Sequence, residues 1–185
     1  MYKSKGQSAA IIDTSVLLSL YYLDLLNFLN LIYNEVRIPR EVEREFLEKN
    51  RNSEEQNIRF EFITKFYKNH ASWFFQCNEY GEDLVQIYLT EKELDKGEAE
   101  VFAQNQALGS NHELLLDERA GRKVAHRESI IHHGVLYILA SLEIKLQVCD
   151  YYFTVATLKE MKIGRFSDKI IDQVYQNVKS DLGLA

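Results

Sequence analysis

Cysteine and proline are the first scarcities. Only two cysteines, Cys77 and Cys149, stand in 185 residues, and they lie far apart. That spacing excludes a close-set zinc motif, and the low count excludes a scaffold built on disulfides. Reduced, partly buried thiols in a cytoplasmic protein are expected. Pro39 is the single proline and there are 8 glycines, which argues against long disordered linkers. Excess positive charge is also missing: 22 basic residues face 28 acidic ones, for a net charge of −6. A protein that coats itself on nucleic acid is usually basic, so any such contact here must be local. The apolar run that follows the polar stretch Met1 to Ser8 is broken by Asp13. It therefore predicts neither a signal peptide nor a membrane span.

What is present is the material of a core. Hydrophobic residues make up 46% and charged residues 27%, with 11 tyrosines and 10 phenylalanines. Ala9-Ala10-Ile11-Ile12 predicts a short buried strand that ends at Asp13-Thr14-Ser15, all helix-starting residue types. Val16 to Tyr33 predicts one or two core helices, since Asp24, Asn27 and Asn30 interrupt it at helical spacing. Glu35 to Ile38 predicts a second strand. Pro39 is expected in a first helical turn, with helix continuing over Arg40 to Lys49. Arg51 to Gln56 is expected as a polar break, followed by helix over Asn57 to Tyr67. Trp73 to Cys77 predicts a strand, and Asp83 to Glu93 another helix. Asp95-Lys96-Gly97-Glu98 opens a helix whose end is marked by Gly109. Leu114-Leu115-Leu116 runs into Asp117 and a basic helix, Glu118 to Glu128. Ile130-Ile131 is a candidate strand. Helices are expected over Gly134 to Leu146, Thr154 to Met161, and Ser167 to Lys179. Strands alternating with helices predict an α/β sandwich with a mainly parallel sheet, whose site lies outside the carboxyl ends of the strands.

Two strands in this scheme end in aspartate. Asp13 follows Ala-Ala-Ile-Ile and Asp117 follows Leu-Leu-Leu. Acids at the carboxyl ends of parallel strands share one crevice, where like charges raise each other's pKa. A hard divalent cation such as Mg²⁺ or Mn²⁺ relieves that repulsion and activates water for attack on phosphorus. Glu45 and Glu98, on the helices after Pro39 and Asp95, can turn toward the same crevice. Each acid also has a purely structural role open to it. Asp13 and Asp117 can cap the helices that follow them. Glu98 stands at capping-box spacing from Asp95. Glu45 shares its helix with Glu41, Glu43 and Glu48. The order of two strand-end acids and two helix acids is more specific than any one of them. A phosphatase of the Asp-x-Asp type is disfavoured, because the third position is Ser15. The basic helix carries Arg119, Arg122, Lys123 and Arg127 against two acids, suited to phosphates, to a partner's carboxylates or simply to solvent. His132 and His133 are not read as ligands, because adjacent strand residues point to opposite faces.

These segments resemble the PIN-domain family. Ile11-Ile12-Asp13-Thr14-Ser15 resembles its opening motif. Ile38-Pro39-Arg40-Glu41-Val42-Glu43-Arg44-Glu45 resembles its second, which singles out Glu45. Asp95-Lys96-Gly97-Glu98-Ala99-Glu100 and Leu116-Asp117-Glu118-Arg119-Ala120-Gly121-Arg122 resemble the third and fourth motifs of one subgroup, with Gly134 to Ala140 as continuation. The resemblance covers roughly residues 9 to 180 and implies a Rossmann-like three-layer sandwich with C-terminal helices. It also implies Mg²⁺ or Mn²⁺ on Asp13, Glu98 and Asp117, and catalysis of RNA phosphodiester hydrolysis by these acids with Glu45. Ser15, Arg119 and Arg122 would position water or substrate. Many members are VapC-like toxins of toxin–antitoxin pairs that form homodimers and are inhibited by an antitoxin protein. The chain is expected to be one domain with an insertion within 50–94. Glu118 replaces a frequent aspartate. The alternative reading is a catalytically weak PIN fold that serves as an RNA-binding module or scaffold.

Overall fold

The computed structural model describes residues 8–48, 53–77 and 79–184. Five strands form one sheet in the order β3-β2-β1-β4-β5, and every neighbouring pair is parallel. β1 (Ala9–Ile12) is central, with β2 (Glu35–Pro39) on one side and β4 (Glu113–Leu115) on the other. β3 (Phe74–Cys77) and β5 (His132–His133) are the two edges. Ala10, Ile11, Ile12, Leu114 and Leu115 are wholly buried, as strands covered on both faces must be.

Helices flank this sheet. α1 (Thr14–Tyr22) follows β1, and Asp24 ends it in the left-handed region (φ 56°), so this residue stops the helix rather than interrupting it. A 3-10 helix, Leu26–Leu31, then exposes Asn27 and Asn30. α2 (Arg40–Glu48) and α3 (Ser53–His70) precede β3. α4 (Glu82–Glu91) and α5 (Lys96–Ala107) lead into β4, and α5 is buried from Gly97 to Asn105. α6 (Arg119–Arg127), α7 (Val135–Leu146), α8 (Tyr151–Glu160) and α9 (Asp168–Asp181) complete the chain.

Several boundaries differ from expectation. Pro39 is the last residue of β2, paired with Cys77, and α2 begins one residue later. α3 starts at Ser53, earlier than the expected Asn57. Its first-turn acids Glu54 and Glu55 suit the positive end of a helix dipole, so this polar stretch is helix start rather than break. Arg51 and Asn52, and Lys49 of the preceding helix, lie outside the described residues. The last strand sits at His132–His133 instead of Ile130–Ile131. Ile131 contributes its carbonyl to Leu114 N–H at 2.9 Å but leaves its side chain 55% exposed.

The segment 50–94, expected as an insertion, supplies α3, β3 and α4. Among the described residues no helix is long and apolar enough to cross a membrane.

The strand order positions the site. The chain builds outward from β1 to β2 and β3, then returns to the other side of β1 for β4 and β5. The connections therefore diverge between β1 and β4, and this reversal leaves a crevice at their carboxyl ends. Asp13 and Asp117 follow those two ends.

Candidate active site

Asp13 leaves β1 in extended conformation and caps α1. Its Oδ1 accepts from Thr14 N–H at 2.6 Å, and its Oδ2 accepts from Ser15 N–H at 3.3 Å and from the Ser15 hydroxyl at 2.5 Å. The helix-capping role is therefore present in full. Ser15 fixes the orientation of this carboxylate.

Asp117 does not cap α6. The N-cap position there is Glu118, which makes no capping hydrogen bond with its side chain. Asp117 instead reaches across to α7, where Oδ1 accepts from Val135 N–H at 3.1 Å. Glu98 forms half of the expected capping box. Asp95 accepts from Glu98 N–H at 2.8 Å, but the Glu98 carboxylate turns away to accept from Gly121 N–H at 2.8 Å. Glu45 accepts from the Thr14 hydroxyl at 2.6 Å, beside Asp13. Its neighbours on α2 are otherwise engaged: Glu41 with Arg44 and Lys96, Glu43 with Tyr67 and Gln76, Glu48 with Arg44.

Glycines explain how these acids pack so closely. A Cβ added at Gly97 would lie 2.9 Å from both oxygens of Glu45. One at Gly121 would lie 2.7 Å from Oε1 of Glu98, and one at Gly134 only 2.3 Å from Oδ1 of Asp117. Three of the four acids thus rest in cradles that any side chain would fill. The helix ends converge as well. Asp13 caps α1, Glu98 lies in the first turn of α5 and bonds the first turn of α6, and Asp117 bonds the first residue of α7. The positive ends of four helix dipoles therefore face the acids.

Burial still outweighs this compensation. It pushes Asp13 up to about 6, against the hydrogen bonds from Ser15 and Thr14, while the charge of Asp95 adds to the rise. Glu98 is pushed up to about 7 by burial and by the charges of Asp95 and Asp13, against the Gly121 N–H. Burial likewise raises Asp117 to about 7, with the Val135 N–H and the charge of Arg122 opposing and the charges of Asp13 and Glu118 adding. These mutual effects place Asp13, Glu98 and Asp117 within one electrostatic cluster.

Such a cluster fits a hard divalent cation by donor type, since every donor is a carboxylate oxygen. Among the described residues no three ligand-type side chains converge tightly enough to enclose an ion by themselves.

Arg119 and Arg122 lie exposed on α6 beside Asp117. His133 stacks on Tyr137 (ring centroids 3.6 Å apart, planes 11° apart), and burial pushes its pKa down to about 4. His132 contacts the Ile130 carbonyl at 3.1 Å.

Sequence reasoning treated Asp95 only as a cap, yet its charge acts on both Asp13 and Glu98. It also missed Thr14 as the anchor of Glu45 and the three glycine cradles. The available signal for Thr14 was adjacency, since it follows Asp13; nothing local marks the cradles, because Gly97 receives Glu45, Gly121 receives Glu98 and Gly134 receives Asp117 from distant parts of the chain.

A family model described as a PIN domain matches residues 9–180. No curated protein and no solved structure matches at the significance required.

Proposed function

Because the chain belongs to the PIN-domain family, whose members are typically nucleases, we propose that it is a metal-dependent endoribonuclease hydrolysing RNA phosphodiester bonds. The observation that carries this reading is the gathering of Asp13, Glu45, Glu98 and Asp117 at the reversal between β1 and β4, three of them seated in glycine cradles. In this reading the chain is one domain, with its addition within 50–94.

Asp13, Glu98 and Asp117 would hold Mg²⁺ or Mn²⁺, with Glu45 ligating directly or through water. The cation would supply positive charge that activates water and stabilises the phosphoryl oxygens. The residues of the chain do the positioning. Ser15 keeps one oxygen of Asp13 engaged, and Thr14 anchors Glu45. The Gly121 and Val135 N–H groups fix Glu98 and Asp117. Arg119 and Arg122 steer the substrate phosphates. We further place the protein in the cytoplasm as a homodimeric toxin of a type II toxin–antitoxin pair, held inactive by an antitoxin; this rests on the VapC-like third and fourth motifs.

The test is cleavage of structured RNA with and without Mg²⁺ or Mn²⁺. Asp13→Asn and Asp117→Asn are each expected to lose cleavage by about 10²-fold or more, the scale of a lost preorganised charge. Equal cleavage by wild type and both variants sinks the proposal. RNA binding without metal-dependent cleavage establishes a scaffold instead. Growth arrest on expression, relieved by Asp117→Asn, tests the toxin role.

A further inference from the structure

A groove of about 1020 Å³ opens from the acid cluster. Its lining includes Ser15 and Asp117, Arg119 and Arg122 of α6, and the loop between α8 and α9 from Met161 to Phe166. The chain as a whole is acidic, but five cationic side chains line this groove against only Asp117 and Glu118. Four of them, Arg119, Arg122, Lys162 and Arg165, are exposed and belong to no salt bridge among the described residues. Exposed cations without a salt bridge among the described residues also stand elsewhere, as at Lys65, Lys68, Lys123 and Arg127, so what sets these four apart is their place in one groove with Asp117.

The fifth cation, Arg59 of α3, is 99% buried. It donates to the Phe46 carbonyl at 2.8 Å, to Glu55 at 2.7 Å and to the Tyr22 hydroxyl, and its Nε has no partner among the described residues. It makes one wall of the groove rigid.

The α8–α9 loop is also fixed. Lys162 and Gly164 both take left-handed conformations (φ 58° and 77°), and Lys162 and Ile163 donate back to Lys159 and Leu158 at 3.1 and 2.9 Å. The ring of Phe166 lies so close over Gly164 that a Cβ there would meet it at 2.5 Å. Lys162 and Arg165 are therefore presented by a built turn.

Resting on the nuclease reading of the carboxylate cluster, we propose that Lys162 and Arg165 form a second phosphate-holding subsite. It grips the RNA backbone away from the scissile bond, so that the strand passes from Asp117 along Arg119 and Arg122 to the α8–α9 loop. Unpaired cations continuous with the reacting end suit a polyanion that must enter that end. An acidic peptide could pair with the same cations, but only a nucleic-acid strand needs its own backbone phosphate at the acids and further phosphates held beyond them.

The test is metal-free binding in EDTA, which does not depend on cleavage. Fluorescence anisotropy follows a labelled single-stranded RNA with the full-length protein, its Lys162→Ala/Arg165→Ala variant, and a Lys65→Ala/Lys68→Ala variant. The last removes equal charge from exposed positions on α3. The loop pair is expected to weaken binding about tenfold and to lower the salt slope by about 1.4, as for two lost single-strand phosphate contacts. The α3 pair leaves both unchanged, and Lys162→Arg/Arg165→Lys restores binding. Equal binding by the two alanine pairs overturns the subsite while leaving the cleavage test standing. Loss of labelled polyglutamate binding with RNA binding intact overturns it in favour of an acidic partner. Loss of cleavage in the Asp13→Asn comparison bears only on the nuclease reading.

Discussion

An alanine at position 134 would place its Cβ 2.3 Å from Oδ1 of Asp117. What it meets is the end of a side chain, which can swing aside at little cost. The fold should therefore survive while the carboxylate leaves its place. We expect Gly134→Ala to keep its melting temperature within a few degrees and to lose about 10²-fold in kcat, the usual cost of a displacement near 1 Å. Calorimetry beside RNA cleavage checks this; wild-type kcat in the alanine variant would show that the cradle is idle. Asp95 works at the same scale. One oxygen of its carboxylate caps α5, while its charge lifts Asp13 and Glu98. Sequence could show the cap, because capping is local, three residues along one helix. The charge effect was hidden, since it depends on β1 and α5 meeting in space. The same limit hid the cradles: Gly121 and Glu98 are far apart in the chain and touch only because α6 follows β4 across the sheet.

At the scale of elements, helix starts were the most legible feature, because capping residues write them locally. Asp13 caps α1, Asp95 caps α5 and Ser167 caps α9. Asp150 caps α8 by accepting from Phe153 N–H at 2.8 Å, a start that hydrophobic spacing alone had put at Thr154. Asp150→Ala should cost about 1 kcal/mol. For a chain of this size that lowers the melting temperature by about 2–4 °C. An unchanged thermal midpoint would show that packing of Tyr151 and Leu158 holds α8 without its cap. Edge strands were the least legible. β5 has two residues, and its pairing uses backbone groups that hydropathy does not report. The pull of Ile130-Ile131 toward a strand reading reflects their apolar side chains, yet Ile131 faces outward. The four candidate acids emerge from order along the chain, whereas only the contacts reveal that Asp117 serves α7 rather than α6.

Across the whole molecule, the raised carboxyls tie stability to pH. Glu98 and Asp117 titrate near 7 when folded, against ordinary values of 4.5 and 3.8. The folded chain thus binds more protons than the unfolded chain up to that pH, and stability falls as pH rises through it. The effect is opposed by His112 and His133, whose pKa values burial lowers, that of His133 to about 4. Between about pH 6.5 and 8 the two acids together should forfeit about 1–2 kcal/mol, and the two histidines return up to about half of it, so the net fall is on the order of 1 kcal/mol. Scanning calorimetry in EDTA should show the melting temperature falling across this window, and Mg²⁺ at pH 8 should restore it. A rise with pH would contradict the buried-acid account. The sheet order carries one more consequence, which concerns synthesis. Ala10 pairs with Glu113, so the central strands meet only after most of the chain has been made. Asp117 then waits for Val135, whose N–H holds it. A growing chain on the ribosome therefore has no complete acid cluster until α7 has emerged, and a fragment cut short before Val135 carries all four acids but lacks the N–H that holds Asp117.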